Sequence, residues 1–232
     1  MTTTSPAELS AALATGHSRL RALLPGLTEQ AVRAPSALPG WTRAHVLTHI
    51  EGVGLALARQ ARYAQRGKLI EVYDGGRPGR DAAIETGHRR GAPVLASALS
   101  AALDEVEASW SAVGGQDWER PVRYRDGTLL DAGLGWWREL EIHLTDTLLG
   151  PSIDDWSEPF CTYLVGYLAP RVPGGVRLTL TATDHGGRSW TVGEGRPLSA
   201  RGRLTDIAAW LAGRHPLRPL TGDRLPTLTD WP

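Results

Sequence analysis

The 232-residue chain contains one cysteine, one methionine, one phenylalanine and one lysine, and carries no excess of either charge. A lone thiol, Cys161, excludes an intrachain disulfide and any zinc site built from two or more cysteines of one chain. A metal ion would therefore need histidine and carboxylate ligands. Acidic and basic residues number 25 each, so nothing in the charge balance points to nucleic acid or to an anionic membrane surface. No apolar run reaches the roughly 20 residues that span a bilayer. The segment Met1 to Leu20 lacks a basic start followed by an apolar stretch, so no export signal is expected and the expected compartment is the cytoplasm. Scarce lysine beside abundant Arg, Ala, Gly and Pro reflects the base composition of the gene.

What is present suffices for a packed core. The apolar fraction is 41%, which argues against disorder, and nine tryptophans read chiefly as large core filler. Ser5-Pro6-Ala7-Glu8 has the form of a capping box with proline in the first turn, and Leu9, Leu13, Leu20, Leu24 and Leu27 follow at helical spacing. Pro39-Gly40 breaks the chain, and a second helix is expected from Trp41-Thr42 to about Arg66. Residues 68–90, rich in Gly, Arg and Asp, read as irregular. Leu95, Leu99, Leu103, Val106 and Trp110 mark a third helix, and a fourth runs from about Asp131 to Leu149. Four amphipathic helices imply a four-helix bundle over residues 1–152.

The texture then changes. A helix over Ser157 to Leu168 precedes alternating Val176, Leu178, Leu180 and Ala182, a half-buried strand. Asp184-His185-Gly186-Gly187 reads as a turn, Ser189 to Val192 as its partner strand, and Leu204 to Gly213 as a short helix. The overall class is α+β, with a small C-terminal α/β domain over residues 153–232.

The chemistry concentrates on two helices. On the fourth, Glu139, His143 and Asp146 fall on a face flanked by Trp136, Leu140, Ile142 and Leu149, whereas Arg138, Glu141 and Thr145 are expected to face solvent. On the second, His45 and His49 lie four apart, and Gly52 and Ala56 continue their stripe and leave space beside them. A charge placed on a buried face must be paired or bound to metal. Two readings fit. The pairs are internal ion pairs and hydrogen-bonded core histidines, or facing stripes join a histidine to the Glu-His pair as a three-ligand zinc site with its fourth position open. His45 is the weaker ligand candidate. His17, His88, His185 and His215 read as surface or supporting groups, and Cys161 reads as core.

These segments resemble a known family. Leu38-Pro39-Gly40-Trp41-Thr42-Arg43-Ala44-His45-Val46-Leu47-Thr48-His49 is similar to the Gly-Trp-Thr…His signature of the mycothiol-dependent maleylpyruvate isomerases. Trp137-Arg138-Glu139-Leu140-Glu141-Ile142-His143-Leu144-Thr145-Asp146 is similar to their Arg-Glu-x-x-x-His-x-x-Asp signature. Trp210-Leu211-Ala212-Gly213-Arg214 and the tail Asp230-Trp231-Pro232 fit the same pattern. One departure is visible: Asp146 is followed by Thr147-Leu148-Leu149-Gly150 where the family often has Leu-Gly.

The resemblance implies a DinB-like metal-binding bundle with a small C-terminal α/β domain. It implies a divalent metal, zinc, on His49, Glu139 and His143, with mycothiol as thiol cofactor or cosubstrate. Arg214 would reach into the cleft and hold a substrate carboxylate; taken alone it also reads as a surface arginine at a helix C-terminus. The implied reaction is thiol addition to maleylpyruvate, rotation and elimination to fumarylpyruvate. Alternatives are a mycothiol S-transferase acting on another electrophile, in detoxification or natural-product biosynthesis, and a non-catalytic zinc-binding sensor. The expected partners are a small-molecule substrate and the thiol, with neither nucleic acid nor membrane, and the expected state is a monomer or small homo-oligomer.

Overall fold

A computed structural model describes residues 4–232, so the first three residues of the segment read for an export signal lie outside it. The chain forms two compact units, one holding Ser5–Pro151 and the other Ser152–Pro232 together with Thr4.

The first unit contains α1 (Pro6–Leu23), α2 (Glu29–Arg33), α3 (Arg43–Ala64), α4 (Gly76–Gly87), α5 (Ala92–Ser111) and α6 (Leu129–Asp146). Capping chemistry sets several starts. The Ser5 hydroxyl accepts the Glu8 amide while the Glu8 carboxylate accepts the Ser5 N–H at 2.8 Å. Thr128 and Asp131 do the same for α6, which therefore begins two residues before the position expected from periodicity. The long helix α3 is central and packs against α4, α5 and α6. Its contact with α6 is close because Gly54 lies under the Trp136 ring, which a Cβ there would meet at 2.9 Å.

Two expectations fail in this unit. Residues 76–87 form α4 despite Gly76, Pro78 and Gly79 in its first turn, because the segment docks on α3 and buries Ile84. The solvent-facing assignment on α6 fails as well, although Asp146 is buried on the face expected to be inward. Arg138 and Glu141 are buried, while Glu139 and His143 keep 28% and 16% of their side chains exposed. Periodicity located the faces but not what covers them. Arg19 of α1 pairs with Glu141, and Tyr124 lies over Gly135 and accepts from Arg138 Nη2 at 3.0 Å.

The second unit is built from α7 (Glu158–Leu168), β1 (Gly175–Ala182), β2 (Ser189–Val192), β3 (Gly195–Gly202), α8 (Leu204–Leu211) and β4 (Thr221–Gly222). The sheet order is β2-β1-β3-β4, with β1 and β3 parallel and the other pairs antiparallel. The alternation read in β1 holds: Val176, Leu178, Leu180 and Ala182 are buried, and α7 and α8 pack together beside this sheet. Strand β3 had no sequence signal, since only Leu198 and Ala200 are buried in Gly-Arg-Pro-Leu-Ser-Ala-Arg-Gly. It forms because all eight of its residues pair with β1. Cys161 is buried, as expected of a core residue. No helix among the described residues is long and apolar enough to cross a membrane.

His17, read as a surface or supporting group, is 2% exposed at the α1–α6 contact and so takes the second role. Trp136 Nε1 donates to its Nε2 at 2.9 Å, and its Nδ1 lies 3.5 Å from Glu107. The ring is therefore the neutral tautomer with the proton on Nδ1. Burial pushes its pKa from 6.5 to about 4, with Glu107 opposing and Arg21 assisting. A depressed histidine contributes stability that is complete above pH 6.5 and is lost as pH falls toward 4. The loss amounts to about 2 kcal/mol at pH 5. In His17→Gln, which keeps an acceptor for Trp136, urea unfolding will show a smaller drop in stability between pH 7 and pH 5 than the parent chain shows. An equal drop in the two proteins would contradict this.

Candidate metal centre and adjoining cavity

Helices α3 and α6 cross so that three side chains converge. His49 Nε2 lies 2.9 Å from Glu139 Oε2, and His143 Nε2 lies 3.2 Å from the same oxygen. One carboxylate oxygen thus joins two helices. Sequence reasoning placed these residues on facing stripes, and the structure brings all three together. Asp146, fully buried, accepts from His143 Nδ1 at 2.8 Å and so turns Nε2 toward Glu139.

The electrostatics are graded. Burial lowers the His49 pKa and keeps that ring neutral despite the Glu139 hydrogen bond. Burial acts against His143 too, but hydrogen bonds to Asp146 and Glu139 raise it to about 9. Burial would raise Glu139, yet the two histidines hold it well below the usual carboxylate range. The cluster at neutral pH is a carboxylate between one neutral and one protonated imidazole.

A second group, His45, Glu85 and His88, also has donor atoms close together. Ring geometry separates the two groups. Two imidazoles bound to one ion through nitrogens at about 2.0–2.1 Å radiate from it, leaving ring centres about 4.5–5.3 Å apart. His49 and His143 meet at 4.6 Å with planes at 85°. His45 and His88 stack face to face at 3.6 Å and 15°, unlike co-ligands of one ion. His45 has a structural role, its Nδ1 accepting the Thr42 N–H at 3.1 Å to cap α3. The donor set His49, Glu139 and His143 fits a divalent ion; His45, Glu85 and His88 do not.

Beside His49 lies a cavity of about 680 Å³ between α3 and α4. Its wall is largely apolar, with Val53, Leu55 and Ile84, and Gly52 opens it: a Cβ there would meet nothing within 4 Å. Helix α4 comes close enough to form the far wall because Gly87 packs on Thr48, whose Cγ2 a Cβ would meet at 2.5 Å. Two polar residues of this wall, Tyr73 and Arg80, escaped the sequence reading because their segment looked irregular. The helix-forming run Ala82-Ala83-Ile84-Glu85 after Pro78 was the available signal. Arg80 Nη2 donates to His49 Nδ1 at 3.2 Å. Burial and the Glu139 charge raise the Tyr73 hydroxyl to about 12, so it is a neutral donor.

Arg214 belongs to the second unit. It follows α8 after Gly213, whose φ of +69° ends the helix. Its Nη1 donates to Ala212 O at 2.9 Å. Its charge, with burial, lowers the pKa of Arg171, so the two guanidiniums are neighbours. His185 pairs with Glu158 at 3.0 Å and His215 is exposed, both on that unit's surface.

Residues 13–147 match the family model described as the mycothiol maleylpyruvate isomerase N-terminal domain. The chain belongs to this family. Two solved structures share its fold over 100% of both chains: a mycothiol-dependent maleylpyruvate isomerase at 20% identity and TM-score 0.87, and a histidine-to-alanine mutant of such an enzyme at 19% and 0.86. No curated protein matches the chain.

A glycine inside a helix costs about 0.5–1 kcal/mol relative to alanine. Gly52→Ala, pointing into open space, will raise stability by about that amount in thermal or urea unfolding. A destabilised Gly52→Ala would mean that the space is not open.

Proposed function

We propose that the chain is a metal- and mycothiol-dependent enzyme that activates a thiol for addition to an electrophile, and that its reaction is the cis–trans isomerisation of maleylpyruvate to fumarylpyruvate. The observation that carries this reading is the convergence of His49, Glu139 and His143 on a half-covered face beside the cavity. Two histidines and one carboxylate would hold zinc and leave a position for an exogenous atom. Zinc bound there would favour thiolate over thiol at neutral pH.

In this reading the thiolate adds to the cis double bond. A carbon–sulfur bond forms, and the π electrons move into the conjugated carbonyl as an enolate. Rotation about the new single bond and return of the electrons expel the thiolate and leave the trans alkene, with no net change in protons or electrons. The protein's part is positional. Asp146 fixes the ring of His143, the apolar wall of Val53, Leu55 and Ile84 keeps water from the enolate, and Tyr73 offers a neutral O–H. Arg214 would hold a substrate carboxylate through its planar fork.

The apolar wall also favours a second reading, a mycothiol S-transferase for a less polar electrophile. Zinc-loaded protein incubated with mycothiol and maleylpyruvate distinguishes them. Conversion without thiol consumption supports the isomerase; stoichiometric thiol loss with other electrophiles, and none with maleylpyruvate, supports the transferase. Arg214→Ala is expected to keep zinc and fold while losing about ten- to hundredfold in turnover, the value of one charge-assisted contact. Full activity would remove Arg214 from the mechanism.

The charge state of the cluster adds a test of the ligand set. Since His143 carries a proton up to about pH 9, zinc must displace it. Calorimetric titration at pH 7 in buffers of different ionisation enthalpy should report release of about one proton per ion, with affinity rising as pH approaches 9. Unchanged binding in His143→Ala would overturn the ligand assignment.

A further inference from the structure

The cavity beside His49 presents three arginine–carboxylate pairs, and they are not equivalent. Glu51 on its lining is engaged by Arg90 at 3.0 and 2.5 Å, in a two-pronged contact that Gly87 O and Thr48 extend. Asp74, also on the lining, accepts from Arg59 at 2.7 Å. The acidic groups of the cavity are thus each matched by a guanidinium. The third arginine, Arg80, lines the cavity itself. Its carboxylate partner is Asp81, its chain neighbour, whose side chain is 54% exposed. An ion pair so placed in water is weak. Its contacts on the cavity side are His49 Nδ1 and the Tyr73 hydroxyl, neither of them a carboxylate.

We propose that Arg80 is the anchor for a carboxylate of the electrophile, holding it in the α3–α4 cavity next to the thiol-activating centre. The site is built for a small anionic molecule with a carbon chain. The guanidinium supplies a planar pair of donors, Tyr73 adds a neutral O–H, and Val53, Leu55 and Ile84 supply the apolar wall. The volume of about 680 Å³ falls within the range of small-ligand sites. The contact to His49 links the anchor to the metal ligands. Were His49 to hold a metal, its ring proton would stand on Nδ1, facing Arg80 as donor to donor, and the guanidinium would be available to another acceptor.

This inference rests on the thiol-addition reading, and its test is separable from it. Maleate, a cis dicarboxylate without the reactive ketone, serves as the probe, bound to the zinc-loaded full chain and measured by calorimetry. The parent protein is expected to bind maleate. Arg80→Ala is expected to weaken binding by about tenfold or more while keeping zinc content and thermal stability, and Arg80→Lys to restore part of it. In turnover with a carboxylate-bearing electrophile, the loss should fall mainly on KM, as for a group that binds ground and transition states alike. Equal maleate binding by Arg80→Ala, or none by the parent protein, overturns the proposal. The isomerase reading is decided independently, by conversion of maleylpyruvate in the parent protein.

Discussion

Glu139 is shared between two imidazoles from two helices, and the first unit is organised around that bridge. A carboxylate on a half-covered face carries a desolvation cost that only nearby donors offset. Here His49 on α3 and His143 on α6 supply them, so the crossing of these helices is tied to the chemistry at their contact. Tight packing makes the bridge possible: Gly54 admits the Trp136 ring, and the same ring fixes buried His17 on α1. Removing one partner would leave a charge without its complement, so the three residues behave as one group.

The next layer outward decides what can approach the bridge. Asp146 takes the remaining nitrogen of His143, and Arg80 reaches the remaining nitrogen of His49. Each imidazole is thereby oriented from behind, but by groups of opposite charge. The carboxylate behind His143 raises its proton affinity, whereas burial leaves His49 neutral. On the His49 side the packing opens into the cavity, because Gly52 withholds a side chain and α4 stands off as a separate wall.

The second unit depends on different interactions. Alternating apolar residues of β1 are buried, α8 packs on β1 and β3, and α7 packs on α8. Its tail is tied down by arginines. Arg218 bonds buried Asp206 at 2.7 Å, and Arg171 bonds the carbonyls of Leu211 and Thr229 at 2.6 and 2.8 Å. Those contacts hold the segment that carries Arg214.

Local pattern alone determined the helices with continuous apolar stripes, the capped start of α1, the alternating strand β1 and the stripes bearing His49, Glu139 and His143. Each of these is a property of neighbours along the chain, three or four apart on a helix and two apart on a strand. Among the elements that escaped, α4 and β3 have few apolar residues and owe their form to partners distant in sequence, α3 for one and β1 for the other. The unexpected burial of Arg138 and Glu141 on α6 has the same origin: it depends on Tyr124 and Arg19, which no spacing within the helix encodes. Tertiary structure alone decided that His45 caps while His49 faces Glu139, and that an arginine from an apparently irregular segment stands behind His49. A stripe fixes the direction of a side chain from its helix, whereas the atom it meets depends on how the helices cross.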